Sequence, residues 1–180
     1  MNSYQASPGA EVSGSVVLSM VNVMGAFQSV ALRILAKNGI VDPKADRWYS
    51  HQAFLNSFKT LIEEVGPNTV AQIGRQIAMQ GQGTIPPEIK TPEQALQALD
   101  IAYYSQHRGG EIGHYTFIST GERSGTVIST TPNQSDFDRG LLSALVEQLA
   151  PPGSLVEVVL DPKAESRTRG GKSCTYLISW

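Results

Sequence analysis

The segment His107-Arg108-Gly109-Gly110-Glu111-Ile112-Gly113-His114 gathers two imidazoles, a guanidinium, a carboxylate and three glycines. Imidazoles move protons near neutral pH and ligate metals, as carboxylates also do. A guanidinium pairs with a carboxylate or phosphate in a two-pronged geometry. Glycines let a backbone N–H come close to a ligand. Three uses stand open. The loop contacts an organic ligand; or His107, Glu111 and His114 hold a metal; or the glycines make a sharp connection whose polar groups satisfy local backbone. Tyr104 lies just upstream. Trp48, in Trp48-Tyr49-Ser50-His51, either lines a pocket with Tyr49 and His51 or staples a following helix to the core. The candidate ligand-binding set is therefore His107, Arg108, Glu111, His114, Tyr104 and Trp48, with no catalytic or metal residue assigned.

Other motifs read more plainly. Asp136-Phe137-Asp138-Arg139 opens a helix, where carboxylates favour the positive end of the dipole. Gly170-Gly171-Lys172-Ser173 looks like the end of a phosphate-binding loop, but Ser166 stands where the first glycine is required and a strand follows. Arg167, Arg169 and Lys172 read as a solvated turn. Cys174, the one cysteine, shares a strand face with Tyr176 and Trp180 and reads as a small buried hydrophobe.

The first half of the chain that positions these residues is helical. A long helix is expected from Ser15 to about Lys37, ended by Asn38-Gly39. A second follows over about His51 to Val65, with Phe54, Leu55, Phe58, Leu61 and Ile62 as its stripe, and a third ends near Gly81-Gln82-Gly83. Thr91-Pro92-Glu93-Gln94 combines a hydroxyl cap, an N1 proline and a capping-box Gln, so a helix runs on to about Gln106. The period then falls to two. His114–Ser119 pairs with Thr126–Thr130, Ser135 or Asp136 caps a helix, and Leu155–Leu160 pairs with the closing run Ser173–Trp180. The fold class is α+β: a helical N-terminal half packed on a four-stranded antiparallel sheet. Residues 1–14 are expected to be flexible and 15–180 to form one domain.

Composition narrows the function. The chain is 41% hydrophobic and 17% charged, with net charge −2 and pI about 5.9. That leaves no electrostatic footprint for nucleic acid or an anionic membrane. One cysteine excludes an intramolecular disulfide and a multi-cysteine zinc site, and suits a cytoplasmic location. Val16–Leu35 is interrupted by Ser19, Asn22, Gly25, Gln28, Ser29 and Arg33, so it reads as a buried or dimer-forming helix rather than a membrane span.

The run Pro132-Asn133-Gln134-Ser135-Asp136-Phe137-Asp138-Arg139-Gly140, its amphipathic helix, and the hairpin closing on Gly-Lys-Ser-Cys-Thr-Tyr-Leu-Ile-Ser-Trp resemble the 4-vinyl-reductase domain group. That group is similar in fold to haem-nitric-oxide-binding domains and to vesicle-tethering subunits. The resemblance covers about residues 45–180. It implies a non-enzymatic sensor or regulatory module that binds an apolar or amphipathic small molecule, tetrapyrrole or lipid-like; separately, the apolar helix over residues 15–37 is expected to pack in a homodimer. An enzyme of tetrapyrrole metabolism and a protein–protein interaction module are the alternatives. The haem-binding cousins use an axial His and a Tyr-x-Ser-x-Arg clamp. Here Tyr103 and Ser105 match the first two members, His107 takes the fifth place and Arg108 falls one residue late.

Overall fold

A computed structural model describes residues 4–80 and 85–180. The third-helix end expected at Gly81-Gln82-Gly83 lies outside these residues. The fold is α+β, as the change in periodicity predicts. Helices α1 (Gly14–Val23), α2 (Gln28–Lys37), α3 (His51–Glu64), α4 (Pro67–Gln80) and α5 (Pro92–Ser105) fill the first part. Two short strands among them, β1 (Glu11–Ser13) and β2 (Trp48–Ser50), join β3 (His107–Arg108) in a small antiparallel sheet of order β2-β1-β3. Strands β4 (Tyr115–Gly121), β5 (Ser124–Ser129), β6 (Glu157–Leu160) and β7 (Cys174–Ser179) make the main sheet, in the order β4-β5-β7-β6, with α6 (Ser135–Glu147) between β5 and β6 in sequence.

The closing strand occupies the interior of the main sheet. β7 pairs antiparallel with both β5 and β6, and its alternation is that of a one-sided strand: Cys174, Tyr176 and Ile178 are buried while Leu177 is exposed. α5 starts where the sequence requires, with the Thr91 hydroxyl accepting from the Gln94 N–H and the Gln94 side chain closing the capping box.

Three local expectations change. The helix expected over Ser15–Lys37 is two helices set at 113°. Gly25, at φ +49°, leaves the helical region, and a 3-10 turn over Gly25–Phe27 carries the bend. Among the described residues no single helix is long and apolar enough to cross a membrane. The segment read as flexible contributes β1, with Val12 fully buried. The last helix takes Gln134 as its N-cap, rather than Ser135 or Asp136, and has no side-chain cap bond.

The two halves meet where α4 crosses α6. A Cβ on Gly74 would run into the Phe137 carbonyl, and one on Gly140 into the Ala71 carbonyl, so the two backbones touch. Beside this crossing Phe58 packs its ring on Phe54 (4.6 Å between centroids) and on Phe137 (5.3 Å). Buried apolar side chains from Ala10 to Ile178 form one cluster.

Candidate functional site

The small sheet splits the sequence-predicted site residues into three groups. β1 lies between β2 and β3, and its register sets Glu11 opposite Arg108 and Ser13 opposite Trp48. Arg108 Nε donates to Glu11 Oε2 at 2.6 Å, and the guanidinium lies 4.5 Å from the Trp48 ring centroid. This ion pair and its aromatic plate sit at the surface. Tyr104 and His114 meet elsewhere: the Tyr104 hydroxyl is 3.0 Å from His114 Nε2, while His114 Nδ1 is 3.0 Å from Asp100 Oδ2. Glu111 is exposed and bears electrostatically on Tyr104. His107 turns inward, with Nδ1 donating to the Tyr103 carbonyl at 2.9 Å.

The glycines of the loop are explained by connection. Gly109, Gly110 and Gly113 all have positive φ, at 70°, 65° and 76°. Any Cβ on Gly109 would strike the Gly9 carbonyl, and one on Gly113 the Thr130 carbonyl. The metal alternative for His107, Glu111 and His114 is not assembled. Among the described residues no cluster of three or more His, Cys, Asp or Glu side chains is placed to hold an ion.

Most of the polar chemistry lies in the core. His51 opens α3 and is fully buried; neither ring nitrogen makes a well-formed hydrogen bond among the described residues, and the Asn133 side chain is the polar group that bears on it. Its ring lies 4.7 Å from that of His107, which lies 4.1 Å from Tyr103, which meets Tyr115 edge-on at 5.3 Å. Burial, with the neighbouring imidazole, pushes His51 down to about 3; burial lowers His107 to about 4. Tyr115 then donates to Asp138 Oδ1 at 2.6 Å and accepts from the Asn133 amide at 3.0 Å. Asp138 Oδ2 takes Arg167 Nη2 at 2.9 Å and the Tyr176 hydroxyl at 3.2 Å. Arg167 also donates to the Ser129 and Asn133 carbonyls. Burial raises Asp138 and works against the Arg167 charge, but the Asp138 carboxylate holds Arg167 protonated.

Arg167 corrects the reading of its turn as solvated. It is 2% exposed, whereas Arg169 and Lys172 remain at the surface. Asp138 likewise does more than favour a helix start: it is the buried partner, and only Asp136 stays outside, paired with Arg139. Cys174 is fully buried as expected and accepts from the Arg167 N–H. The sequence offered one signal for the network. Tyr115, Ser129 and Tyr176 fall on inward strand positions, and inward polar groups need partners.

Two open clefts flank this core. One, of about 460 Å³, is lined by Ala6 through Glu11 with Ser50 and Gln52. Its floor backs directly onto the imidazole pair, since the His51 N–H donates to the Ala10 carbonyl at 2.9 Å. The other, of about 310 Å³, lies between α4, α6 and β6 and includes Arg75, Arg139 and Gly140.

Haem does not fit these residues. An imidazole-ligated haem needs a ring nitrogen facing a slot wide enough for the macrocycle. His51 has unbonded nitrogens but is enclosed against His107. His107 is bonded to Tyr103, and both nitrogens of His114 are engaged. Neither cleft is lined by a histidine. The α4–α6 crossing is closed by backbone contact.

No protein-family model and no curated protein matches the chain. Its fold is nevertheless that of solved H-NOX (haem-NO-binding) domains. An H-NOX protein from S. oneidensis in the Fe(II)NO ligation state superposes with TM-score 0.71 at 11% identity, covering 93% of this chain and 98% of that one. The unliganded Fe(II) H-NOX protein from K. algicida gives 0.64 at 14% identity, covering 93% and 95%. An oxygen-binding H-NOX domain related to soluble guanylate cyclases, solved as the oxygen complex, gives 0.67 at 12% identity, covering 93% and 94%. At such identities the likeness establishes the fold.

Proposed function

We propose that this chain is a non-enzymatic, cytoplasmic sensor or regulatory domain of the haem-nitric-oxide-binding fold that reads a small amphipathic molecule other than haem. The ligand's apolar part lies along Ala6, Pro8 and Ala10 in the cleft of about 460 Å³, and its polar end meets the Glu11–Arg108 pair beside Trp48. The single observation that carries this reading is His51. A buried imidazole with no well-formed hydrogen bond among the described residues, only the Asn133 side chain bearing on it, costs stability; one hydrogen bond behind the cleft floor, it is suited to register a shift of that floor. From His51 the aromatic and hydrogen-bonded chain through His107, Tyr103, Tyr115 and Asp138 leads to the interior strand β7.

Membership of the 4-vinyl-reductase group belongs to the same proposal and rests on Pro132–Gly140 and the closing hairpin. So does homodimerisation through residues 15–37, where Phe27 and Leu32 are the exposed apolar side chains left to meet a second copy. Octanoate serves as the probe in an amide NMR titration. Saturable shifts are expected at Ala6–Glu11, Ser50 and Gln52 and in the His51 and His107 ring signals. Arg108→Ala is expected to weaken binding about tenfold, by removing a charged hydrogen-bond partner. Shifts that saturate elsewhere, or leave both rings unmoved, contradict the assignment.

A further inference from the structure

Asp100, His114 and Tyr104 form a hydrogen-bonded series that neither the fold nor the cleft requires. Asp100 is held from behind, its Oδ1 accepting the Tyr115 N–H at 2.9 Å, which leaves Oδ2 for His114 Nδ1 at 3.0 Å. The His114 backbone is held in turn, its N–H donating to Thr130 Oγ1 at 2.9 Å. With a carboxylate at Nδ1, the proton of the neutral imidazole resides there, so Nε2 presents a lone pair to the Tyr104 hydroxyl at 3.0 Å. An oriented carboxylate, a tautomer-fixed imidazole and a hydroxyl in series are the arrangement by which a weak nucleophile is deprotonated as it attacks.

We propose that Tyr104 is a base-assisted nucleophile, the acceptor hydroxyl for an acyl group delivered by a neutral activated acyl donor. The phenolic oxygen attacks the donor carbonyl as its proton passes to His114 Nε2. The bond to the leaving group breaks, and the leaving group takes that proton as it departs, giving an O-acyl tyrosine and the free leaving group. No oxidant or metal takes part. Asp100 is a positioning residue, acting through His114.

Two observations set Tyr104 apart. Its side chain is exposed at 41%, so a donor can reach it. Four of the other phenols have different partners: Tyr103 donates to the Ile112 carbonyl, Tyr115 to Asp138, and Tyr176 to Ser135 and Asp138, while Tyr49 accepts from the Lys44 N–H. Partial desolvation and the carboxylates of Asp100 and Glu111 raise Tyr104, so the hydroxyl keeps its proton and depends on His114 to lose it. The same carboxylates disfavour an anionic phosphoryl donor and favour a neutral acyl one.

The test is timed acetylation of the whole chain by N-acetylimidazole, with each tyrosine followed by peptide mass spectrometry. Tyr104 is expected to react about tenfold or more faster than Tyr4 and Tyr49, within the range of general-base assistance. His114→Ala and His114→Gln should bring it down to their rate. Asp100→Asn should slow it while leaving Tyr49 unchanged. Tyr103, Tyr115 and Tyr176 report folding in the same digest, because they acetylate only when the core opens. A wild-type Tyr104 no faster than Tyr49 overturns the proposal, whatever the variants do. An unchanged Tyr104 rate in His114→Ala with those three tyrosines unmodified overturns it as well.

Discussion

Replacing Arg167 by alanine is expected to cost about 3–5 kcal/mol of folding stability, the range for stranding one member of a buried ion pair. Arg167 and Asp138 have side chains 1% and 0% exposed and lie 2.9 Å apart. Without the guanidinium, Asp138 keeps its tyrosine donors but loses its counter-charge, and the Ser129 and Asn133 carbonyls each lose the N–H that Arg167 donates to them. The carboxyl should then remain protonated to higher pH. Urea denaturation checks this: the midpoint should fall while the slope stays the same, since the exposed area on unfolding changes little. Arg167→Met with Asp138→Leu should recover much of the loss, because the penalty is that of an uncompensated charge. A loss below about 1 kcal/mol would be that of a solvated pair and would contradict the burial of this network.

Acid should unfold the protein through its imidazole pair. His51 is lowered to about 3 and His107 to about 4, while an imidazole in the unfolded chain titrates near 6.5. Below about pH 6.5 the unfolded ensemble therefore binds protons that the native state refuses. Stability is full above that pH and falls as pH drops, by about 1.4 kcal/mol per pH unit for each imidazole. The decline flattens for His107 below about pH 4 and for His51 below about pH 3. Asp138, raised by burial, works in the opposite direction, because its native form holds a proton longer. His51→Phe isolates the effect, removing one imidazole and filling its space with a ring that needs no partner. Its stability at pH 7 should match or exceed the wild type, and its loss between pH 6 and pH 4 should be smaller by about 1.4 kcal/mol per unit. Equal slopes in the two proteins would place His51 in contact with water.

The sequence discloses the parts of this molecule that rest on local rules. The capping box at Thr91, the period-two run ending at Trp180 and the stripe from Phe54 to Leu61 each specify an element and its buried face, and the structure agrees. What stays hidden depends on distant partners. β1, β2 and β3 have three, three and two residues, too short for any periodicity, so the small sheet that pairs Glu11 with Arg108 has no sequence signature. Arg167 sits among Arg169, Gly170 and Lys172 and looks solvated, because nothing local shows that Asp138 waits 29 residues upstream. The residue types of His107–His114 point to one shared site, yet its members face three directions. Three glycines shape its turns, Arg108 goes to the small sheet, His114 to Asp100 and His107 to the core.

The most direct test of this account is a hemin titration of the purified chain, followed by the Soret absorption, with His51→Ala and His107→Ala alongside. The closed α4–α6 crossing and the engaged histidines predict that hemin gives no one-to-one complex with an axial-imidazole spectrum, and that the weak residual binding is the same in all three proteins. A stoichiometric Soret band that disappears in His51→Ala or His107→Ala would show that the core opens to a macrocycle and would contradict the haem-free reading.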